Sequence, residues 1–226
     1  VDELGVDPVR GRSPQGGRSR AFSGAASNGV DLMTLSGHKI YGPKGVGVLY
    51  VKSKFQNPNI KQNPNSKIQM IKPIVTGGGQ EFGLRSGTEN VPLVVGFARA
   101  VELATKARAK EKDRILKLRD YFWEKLNAIV PEAERNGGEP ALPNIVNVYF
   151  PRHRAEDMLV KLDLAGIAAS SGSACRARSI TPSHVILAMG YSEERAKRSV
   201  RFSFGRPTTR QDIDTTLTVI KNSFTK

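Results

Sequence analysis

The sequence predicts an α/β protein, and three features of the 226-residue chain support this fold class. Two apolar runs rich in β-branched residues, VDLMTL and VGVLYVK, are separated by glycine and proline and indicate neighbouring strands. Residues 91–130 carry apolar side chains at helical spacing over a long span. The last part of the chain, roughly 100 residues, alternates strand-like and helix-like segments, which is typical of a compact α/β domain.

In the first half of the chain, the two strands lead to a third strand-like run, IQMIKPIV, at residues 68–75. Glycines crowd the next segment, TGGGQEFGLRSGTEN, which is therefore predicted to form a structured loop. Pro92 stands near the start of the helical pattern, where a missing amide is tolerated. We expect one long helix here, or two in series.

In the second half, a strand is predicted at NIVNVYF, followed by a helix that ends at Gly166, because glycine often follows the last helical turn. A short strand, IAASSG, comes next. We then expect a helix with Thr181 as its N-cap, Pro182 in its first position and Gly190 beyond its end. SEERAKRSV predicts a helix and VRFSFGR a strand. The chain finishes in an amphipathic helix capped by one of two adjacent threonines.

Composition divides the chain into three parts. Residues 1–28 are rich in glycine, serine and arginine and nearly lack large apolar side chains, so we predict a flexible low-complexity segment. Residues 29–110 and 111–226 are predicted to form two domains, with the boundary inside the long helix.

No apolar run reaches the roughly 20 residues that a membrane-spanning helix needs. We therefore expect a soluble protein of the cytoplasm, or of the mitochondrion in a eukaryote.

The chain is strongly basic, with a formal net charge of +14 and a pI of about 10.1. Such a charge attracts anionic partners, but the basic residues are spread out and no nucleic-acid motif accompanies them. We expect neither nucleic acid nor a membrane as a partner.

The single cysteine excludes an internal disulfide and a zinc site built from several thiolates, and no metal site is predicted.

The motif SGHK places Lys39 directly after an apolar strand. A lysine amine that is partly buried at such a position is nucleophilic and can form a Schiff base with an aldehyde cofactor. Ser36 and His38 flank Lys39 with hydrogen-bond donors that suit a phosphate. The alternative is an ordinary surface lysine at the end of a strand.

The segment RSGTEN follows the glycine-rich loop and precedes the long helix. Thr88 and the neighbouring amides at the helix N-terminus are candidates for binding an anion. The alternative is a tight loop in which Thr88 only caps the helix.

Cys175 lies in a Ser/Gly-rich segment, ASSGSACRARS, with Arg176 and Arg178 close behind it. Nearby positive charge raises the thiolate fraction of a cysteine, which makes Cys175 a candidate nucleophile. The alternative is a small buried hydrophobic side chain.

Arg201, in VRFSFGR, has apolar neighbours and a planar guanidinium that matches a carboxylate. Its alternative is an arginine whose stem covers the edge of a sheet.

Taken together, SGHKIYGPKGVG, GGGQEFGLRSGTEN, SSGSAC and VRFSFGR, in this order and at these distances, closely resemble the cysteine desulfurases. These are pyridoxal-phosphate enzymes of the class V aminotransferase family with the type I fold. The resemblance spans residues 29–226. It implies that residues 29–110 form the C-terminal part of the large, cofactor-binding domain and that residues 111–226 form the small domain.

The resemblance also implies how the cofactor is held. Lys39 would bind pyridoxal 5'-phosphate covalently, and Ser36 and His38 would contact its phosphate. Thr88 would reach the phosphate of the cofactor in the neighbouring subunit, which implies a homodimer with shared active sites.

For the substrate, the resemblance implies that Arg201 binds the α-carboxylate of L-cysteine. Cys175 would take the sulfur as a persulfide, which leaves L-alanine. The persulfide sulfur would pass to an acceptor protein, such as an iron–sulfur scaffold or a thiolation protein, for iron–sulfur cluster or thio-cofactor biosynthesis.

The chain departs from the family in one respect. Relatives carry a long segment before the lysine motif that supplies the ring stacking on the cofactor and the aspartate that pairs with its pyridine nitrogen, and none of these groups is identifiable here. The resemblance therefore implies a large domain without its N-terminal part, and weaker cofactor binding by this chain alone. Two alternatives stay open: a selenocysteine lyase, whose cysteine loop typically differs, and an inactive truncated homologue that acts as a binding or dimerisation partner.

Overall fold

The computed structural model describes residues 30–51, 71–172 and 182–224. The predicted low-complexity segment 1–28 lies outside these described residues. The chain divides into two compact units, Val1–Arg108 and Ala109–Lys226.

The first unit contains a two-stranded antiparallel sheet. Strands β1 (Leu32–Ser36) and β2 (Gly47–Val51) pair along their full length, from Leu32 opposite Val51 to Ser36 opposite Gly47. Both strands confirm the sequence prediction, because β-branched and apolar residues on either side of a glycine-containing turn favour a hairpin-like pair.

Helix α1 (Val91–Ile129) is a single helix of 39 residues, which decides between the one-helix and two-helix predictions. Its N-cap is Asn90, whose side-chain oxygen accepts a hydrogen bond from the amide of Leu93 at 3.3 Å. Pro92 lies in the first turn, where no intrahelical donor is lost.

The third strand predicted in the first half is wrong over the part that the structure describes, residues 71–75, which form coil and bends. Ile74 is 97% exposed and Val75 is also exposed. The apolar pattern suggested a strand, but none of the strands that the structure describes pairs with these residues.

The second unit is built on a three-stranded antiparallel sheet in the order β3-β4-β5. Its strands are β3 (Glu134–Arg135), β4 (Ile145–Tyr149) and β5 (Ser199–Ser203). Strands β4 and β5 confirm the prediction and pair from Ile145 opposite Ser203 to Tyr149 opposite Ser199. Strand β3 was not predicted, because it has only two residues and both are charged.

Four helices accompany this sheet: α2 (Ala155–Leu164), α3 (His184–Ala188), α4 (Glu193–Lys197) and α5 (Arg210–Phe224). Gly166 and Gly190 follow α2 and α3 in the left-handed region, with φ of 76° and 85°. Both glycines therefore confirm the predicted helix ends.

Two predictions near the middle of this unit need correction. Helix α3 begins later than expected: Pro182 precedes it and Ser183 holds the N-cap position, because the ψ of 114° at Ser183 is not helical. Thr181, the predicted cap, lies outside the described residues. The strand predicted at residues 167–172 is reduced to a single bridge at Ser170, so no ladder forms there.

The main hydrophobic core of the described residues belongs to the second unit. The ring of Phe122, from the C-terminal part of α1, lies 4.8 Å from the ring of Phe202 and 5.5 Å from that of Phe204, measured between centroids. Strands β4 and β5 and helices α2 and α5 add further buried side chains.

Within the described ranges, no helix combines the length and the apolarity needed to cross a membrane.

Candidate active site

A tight turn between β1 and β2, which we call the lysine turn (residues 36–47), carries three of the predicted site residues. Ser36 ends β1, and His38 and Lys39 lie on the short 3-10 helix Gly37–Ile40 that follows it. The structure thus brings a hydroxyl, an imidazole and an amine together within four consecutive residues.

Backbone hydrogen bonds close the lysine turn. Tyr41 ends the 3-10 helix in the left-handed region, with φ of 63°. The amide of Gly42 donates to the carbonyl of Gly37 at 2.9 Å, and the amide of Gly37 donates to the carbonyl of Val46 at the same distance. These bonds fix the backbone that carries His38 and Lys39.

The turn also packs closely on the N-terminal part of α1. A Cβ atom placed on Gly42 would lie 2.8 Å from the carbonyl oxygen of Gly37 and 3.1 Å from the Cβ of Ala100. A Cβ atom on Gly96 of the helix would lie 2.7 Å from the ring of Pro43. Glycine at positions 42 and 96 therefore allows an approach that any other residue would prevent.

The side chains of His38 and Lys39 are exposed, and Ser36 is half-buried. The expectation that burial activates Lys39 is therefore wrong for this chain by itself. The sheet has only two strands, and no described element covers these two side chains. The described residues thus leave the amine of Lys39 accessible to a small molecule.

Thr88 lies in the same unit, in the loop that leads into α1, and its side chain is exposed. Because the cap of α1 is Asn90, the alternative in which Thr88 caps the helix is wrong. Its role in binding an anion stays a prediction.

The glycine-rich loop before Thr88 is structured, as predicted. The buried hydroxyl of Ser86 accepts a hydrogen bond from the amide of Gly79 at 3.2 Å, and the side-chain oxygen of Gln80 accepts one from the amide of Gly87 at 3.1 Å. These bonds tie the two ends of the loop together.

Phe82, at the tip of this loop, was not singled out from the sequence. Its φ of 60° is left-handed, as is the φ of 51° at Glu81, and its side chain is 91% exposed. A left-handed aromatic residue is strained, and the loop holds it in place. Its position before a glycine in a glycine-rich loop is the signal that could have indicated an unusual backbone there.

Arg201 lies at the centre of β5 in the second unit, opposite Asn147. Its Nε atom is buried and has no hydrogen-bond partner among the described residues. A buried guanidinium N–H without an acceptor suits an incoming carboxylate. The alternative, in which the stem of Arg201 covers the sheet edge, stays open.

Ser170 was missed by the sequence analysis and contacts Arg201 directly. The amide of Arg201 donates to the carbonyl of Ser170 at 2.6 Å, and the amide of Ser170 donates to the carbonyl of Arg201 at 3.2 Å. The hydroxyl of Ser170 also bonds within its own turn, to Gly172. Ser170 begins the run Ser-Ser-Gly, and serine and glycine are residues typical of turns, which could have drawn attention to it.

Cys175 lies outside the described residues, so its role stays a prediction. The described residues on either side of it are close together: a Cβ atom placed on Gly172 would lie 4.0 Å from the Cβ of Ser183. Gly172 and Ser183 therefore lie close to each other in the second unit.

The structure places Ser36, His38, Lys39 and Thr88 in the first unit and Arg201 in the second, and each group is described within its own unit. Among the described residues, no group of three or more His, Cys, Asp or Glu side chains could hold a metal ion.

Comparison with known proteins assigns the chain to a family. Residues 25–216 match the family model of aminotransferase class-V. The chain belongs to the aminotransferase class-V family. Enzymes of this family are in general pyridoxal-phosphate enzymes.

Curated relatives of this class-V chain carry more specific names. Cysteine desulfurase IscS 1 of Archaeoglobus fulgidus is 40% identical over 192 residues, which are 85% of this chain and 47% of the relative. Cysteine desulfurase IscS of Pectobacterium atrosepticum is 43% identical over 195 residues, which are 86% of this chain and 45% of the relative. The resemblance to cysteine desulfurases is therefore confirmed.

A solved NifS-like protein from Rickettsia africae has a TM-score of 0.72 and 34% identity, over 86% of this chain and 47% of that chain. The predicted fold class is confirmed: this class-V chain has part of the pyridoxal-phosphate-dependent transferase type I fold. The chain spans about half the length of the curated relatives it matches.

Proposed function

We propose that this chain carries the lysine, carboxylate-binding and sulfur-accepting parts of a pyridoxal-phosphate-dependent cysteine desulfurase, which converts L-cysteine to L-alanine. The observation that carries the proposal is the lysine turn, where a glycine-tight backbone presents Ser36, His38 and Lys39 side by side. The names of the relatives support this reaction over others of the family.

The donor set of the lysine turn fits pyridoxal phosphate. The exposed amine of Lys39 can bind its aldehyde, and the hydroxyl of Ser36 and the ring of His38 can donate to its phosphate. When bound, the cofactor withdraws electrons from the bonds of the substrate α-carbon. In this proposal, residues 29–110 are part of the cofactor-binding domain and residues 111–226 are the small domain.

The remaining residues act on the substrate. Arg201 holds the α-carboxylate of L-cysteine through its unpartnered Nε–H and thereby orients the α-carbon. Lys39 moves the proton at that carbon. The thiolate of Cys175 forms an S–S bond with the substrate sulfur, the C–S bond breaks, and the carbon that loses sulfur takes up a proton to give L-alanine.

The proposed partners follow from these roles. Thr88 reaches the cofactor phosphate of a second subunit, so the functional form is a homodimer. The persulfide passes to an acceptor protein for iron–sulfur cluster or thio-cofactor synthesis. A thiol that carries sulfur must stay reduced, so the proposed location is the cytoplasm, or the mitochondrion in a eukaryote.

Reductive trapping tests the cofactor site. The purified chain is incubated with pyridoxal phosphate, reduced with borohydride and digested, and the pyridoxyl label is located by mass spectrometry. We expect the label on Lys39 and its loss in Lys39→Ala. Lys44→Ala, which removes another exposed lysine of the same turn, is the matched control and should keep the label. Equal labelling of wild type and Lys39→Ala would contradict the proposal.

Activity tests the reaction. Alanine and sulfide are measured after addition of L-cysteine, with L-selenocysteine as the comparison substrate. We expect alanine formation to fall at least about 100-fold in Lys39→Ala, because general acid–base catalysis alone contributes roughly 10²-fold or more. Cys175→Ala should abolish persulfide formation. A wild-type chain that labels at Lys39 but forms alanine only from L-selenocysteine would point to the lyase instead.

A further inference from the structure

Strand β5 is the edge strand of its sheet, and its outer side is paired at one residue only among those that the structure describes. That residue is Arg201, through the two backbone hydrogen bonds with Ser170. On the inner side, Val200 and Phe202 pair with Val148 and Val146 of β4. The backbone of Arg201 is thus held from both sides, while the rest of the outer edge of β5 is unpaired in the described chain.

The side chain of Ser170 fixes the segment that makes this contact. Its hydroxyl donates to the carbonyl of Gly172 at 2.9 Å and accepts from the amide of Gly172 at 3.3 Å. Both residues are half-buried. One hydroxyl therefore closes a three-residue turn, and the backbone of the same residue is bound to Arg201.

The guanidinium of Arg201 lies on the strand that this backbone contact holds. Its buried Nε has no acceptor among the described residues, so no protein hydrogen bond described here orients that N–H. The orientation of the guanidinium must then be set by the backbone and by side-chain packing. A carboxylate is bound with two parallel hydrogen bonds only if the guanidinium is already aligned.

We propose that Ser170 is a positioning residue for the substrate carboxylate: its hydroxyl-closed turn holds the backbone of Arg201 and thereby aligns the guanidinium. This inference rests on the proposed role of Arg201 in binding the α-carboxylate. It assigns to the first serine of the SSG run a role that does not involve the cofactor.

The test follows the Nε–H resonance of Arg201 in nitrogen-15-labelled chain, identified by its absence in Arg201→Lys. The probe is L-alanine, which carries the α-carboxylate without the thiol and is not consumed. We expect a saturable shift of this resonance in wild type. Ser170→Ala should raise the Kd for L-alanine by about fivefold, since a hydrogen bond of this kind is worth roughly 1 kcal/mol.

A second pair of variants separates the effect of the Ser170 hydroxyl on L-alanine binding from the effect of side-chain size. Ser170→Thr keeps the hydroxyl and should bind L-alanine as wild type does, whereas the similarly shaped Ser170→Val should behave like Ser170→Ala. Ser171→Ala is the matched control, because it removes the neighbouring half-buried serine hydroxyl while both hydrogen bonds of Ser170 with Gly172 are kept.

Two results would overturn the inference. If the Arg201 resonance shifts with wild-type Kd in Ser170→Ala and in Ser170→Val, Ser170 does not position the guanidinium, and the proposed role of Arg201 still stands. If the resonance does not respond to L-alanine even in wild type, the role of Arg201 is wrong and the inference falls with it. The backbone amide spectrum of α5 reports in each case whether the second unit is folded.

Discussion

Gly42 is the residue at which the lysine turn depends most directly on the absence of a side chain. Its amide closes the turn onto Gly37, and its α-carbon faces Ala100 of α1. A protein interior is close-packed, so an added methyl group must displace the backbone on one side or the helix on the other. The backbone carbonyl of Gly37 cannot move without shifting His38 and Lys39, which follow it directly.

Gly42→Ala should therefore destabilise the first unit by about 1–3 kcal/mol, the usual cost of overpacking a filled site. We expect a lower midpoint of unfolding and faster amide hydrogen exchange in residues 37–46. Gly138→Ala is the control, because a Cβ atom there meets nothing within 4 Å. Unchanged exchange in Gly42→Ala would show that the close contact is easily relieved.

At the scale of elements, α5 shows how a local sequence signal fixes a helix start. The hydroxyl of Thr209 accepts from the amide of Asp212 at 3.2 Å, and the carboxylate of Asp212 accepts from the amide of Thr209 at 2.8 Å. This reciprocal cap decides between the two threonines that the sequence left open. The hydrogen bond from the backbone amide of Thr209 is the larger cause of a lowered pKa of Asp212, and the hydrogen bond from the Thr209 hydroxyl is the smaller one.

Thr209→Ala should lower the free energy of unfolding of the second unit by about 1 kcal/mol at neutral pH. Because the pKa of Asp212 is lowered in the folded state, its contribution is present above the ordinary pKa of an aspartate. It is lost as pH falls through the lowered value. The deficit of Thr209→Ala should therefore shrink in acid. Urea unfolding at several pH values checks this, with the exposed Thr215→Ala as the control. A deficit that does not change with pH would exclude the carboxylate.

The elements that the sequence predicted well are those with enough residues to repeat a pattern. Strands β1, β2, β4 and β5 and helices α1 and α5 all have alternating or helical spacing over five or more residues. Two of the failures are short: β3 has two residues, and the bridge at Ser170 is a tertiary contact between distant segments. No local pattern encodes a contact whose partner lies about 30 residues away. The third failure, at residues 71–75, has an apolar pattern but forms coil and bends.

For the whole molecule, the two units differ in how much apolar surface they bury. The buried core of the described residues lies in the second unit, whereas the first unit buries only Val51, Phe97 and Ala100 among its described apolar residues. Leu32 and Phe82 of the first unit are exposed. A two-stranded sheet with little buried surface is marginally stable.

Amide hydrogen exchange should therefore be slower in β4 and β5 than in β1 and β2, by about tenfold or more, because opening free energy follows local burial. Mass spectrometry of peptides from both sheets measures this difference in one experiment. Similar protection in the two sheets would mean that the first unit is stabilised by contacts that the described residues do not supply.

The sequence predicted candidate site residues, whose roles stay predictions, but it did not predict their exposure. Lys39, Ser36, His38 and Arg201 could be proposed from residue type and order, because an amine, hydrogen-bond donors and a guanidinium are recognisable in the sequence alone. Burial is a property of everything packed around a residue. The apolar run before Lys39 suggested a covered amine, and the two-stranded sheet leaves it open.

The proximity of Gly172 and Ser183 has a consequence for how this protein can diversify. Where two anchor points nearly touch, the stretch that joins them can gain or lose residues without moving either anchor. The entropic penalty rises by only about 0.6 kcal/mol for each doubling of length. A change in the number of residues between Gly172 and Ser183 should therefore leave the bridge at Ser170 and helix α3 in place.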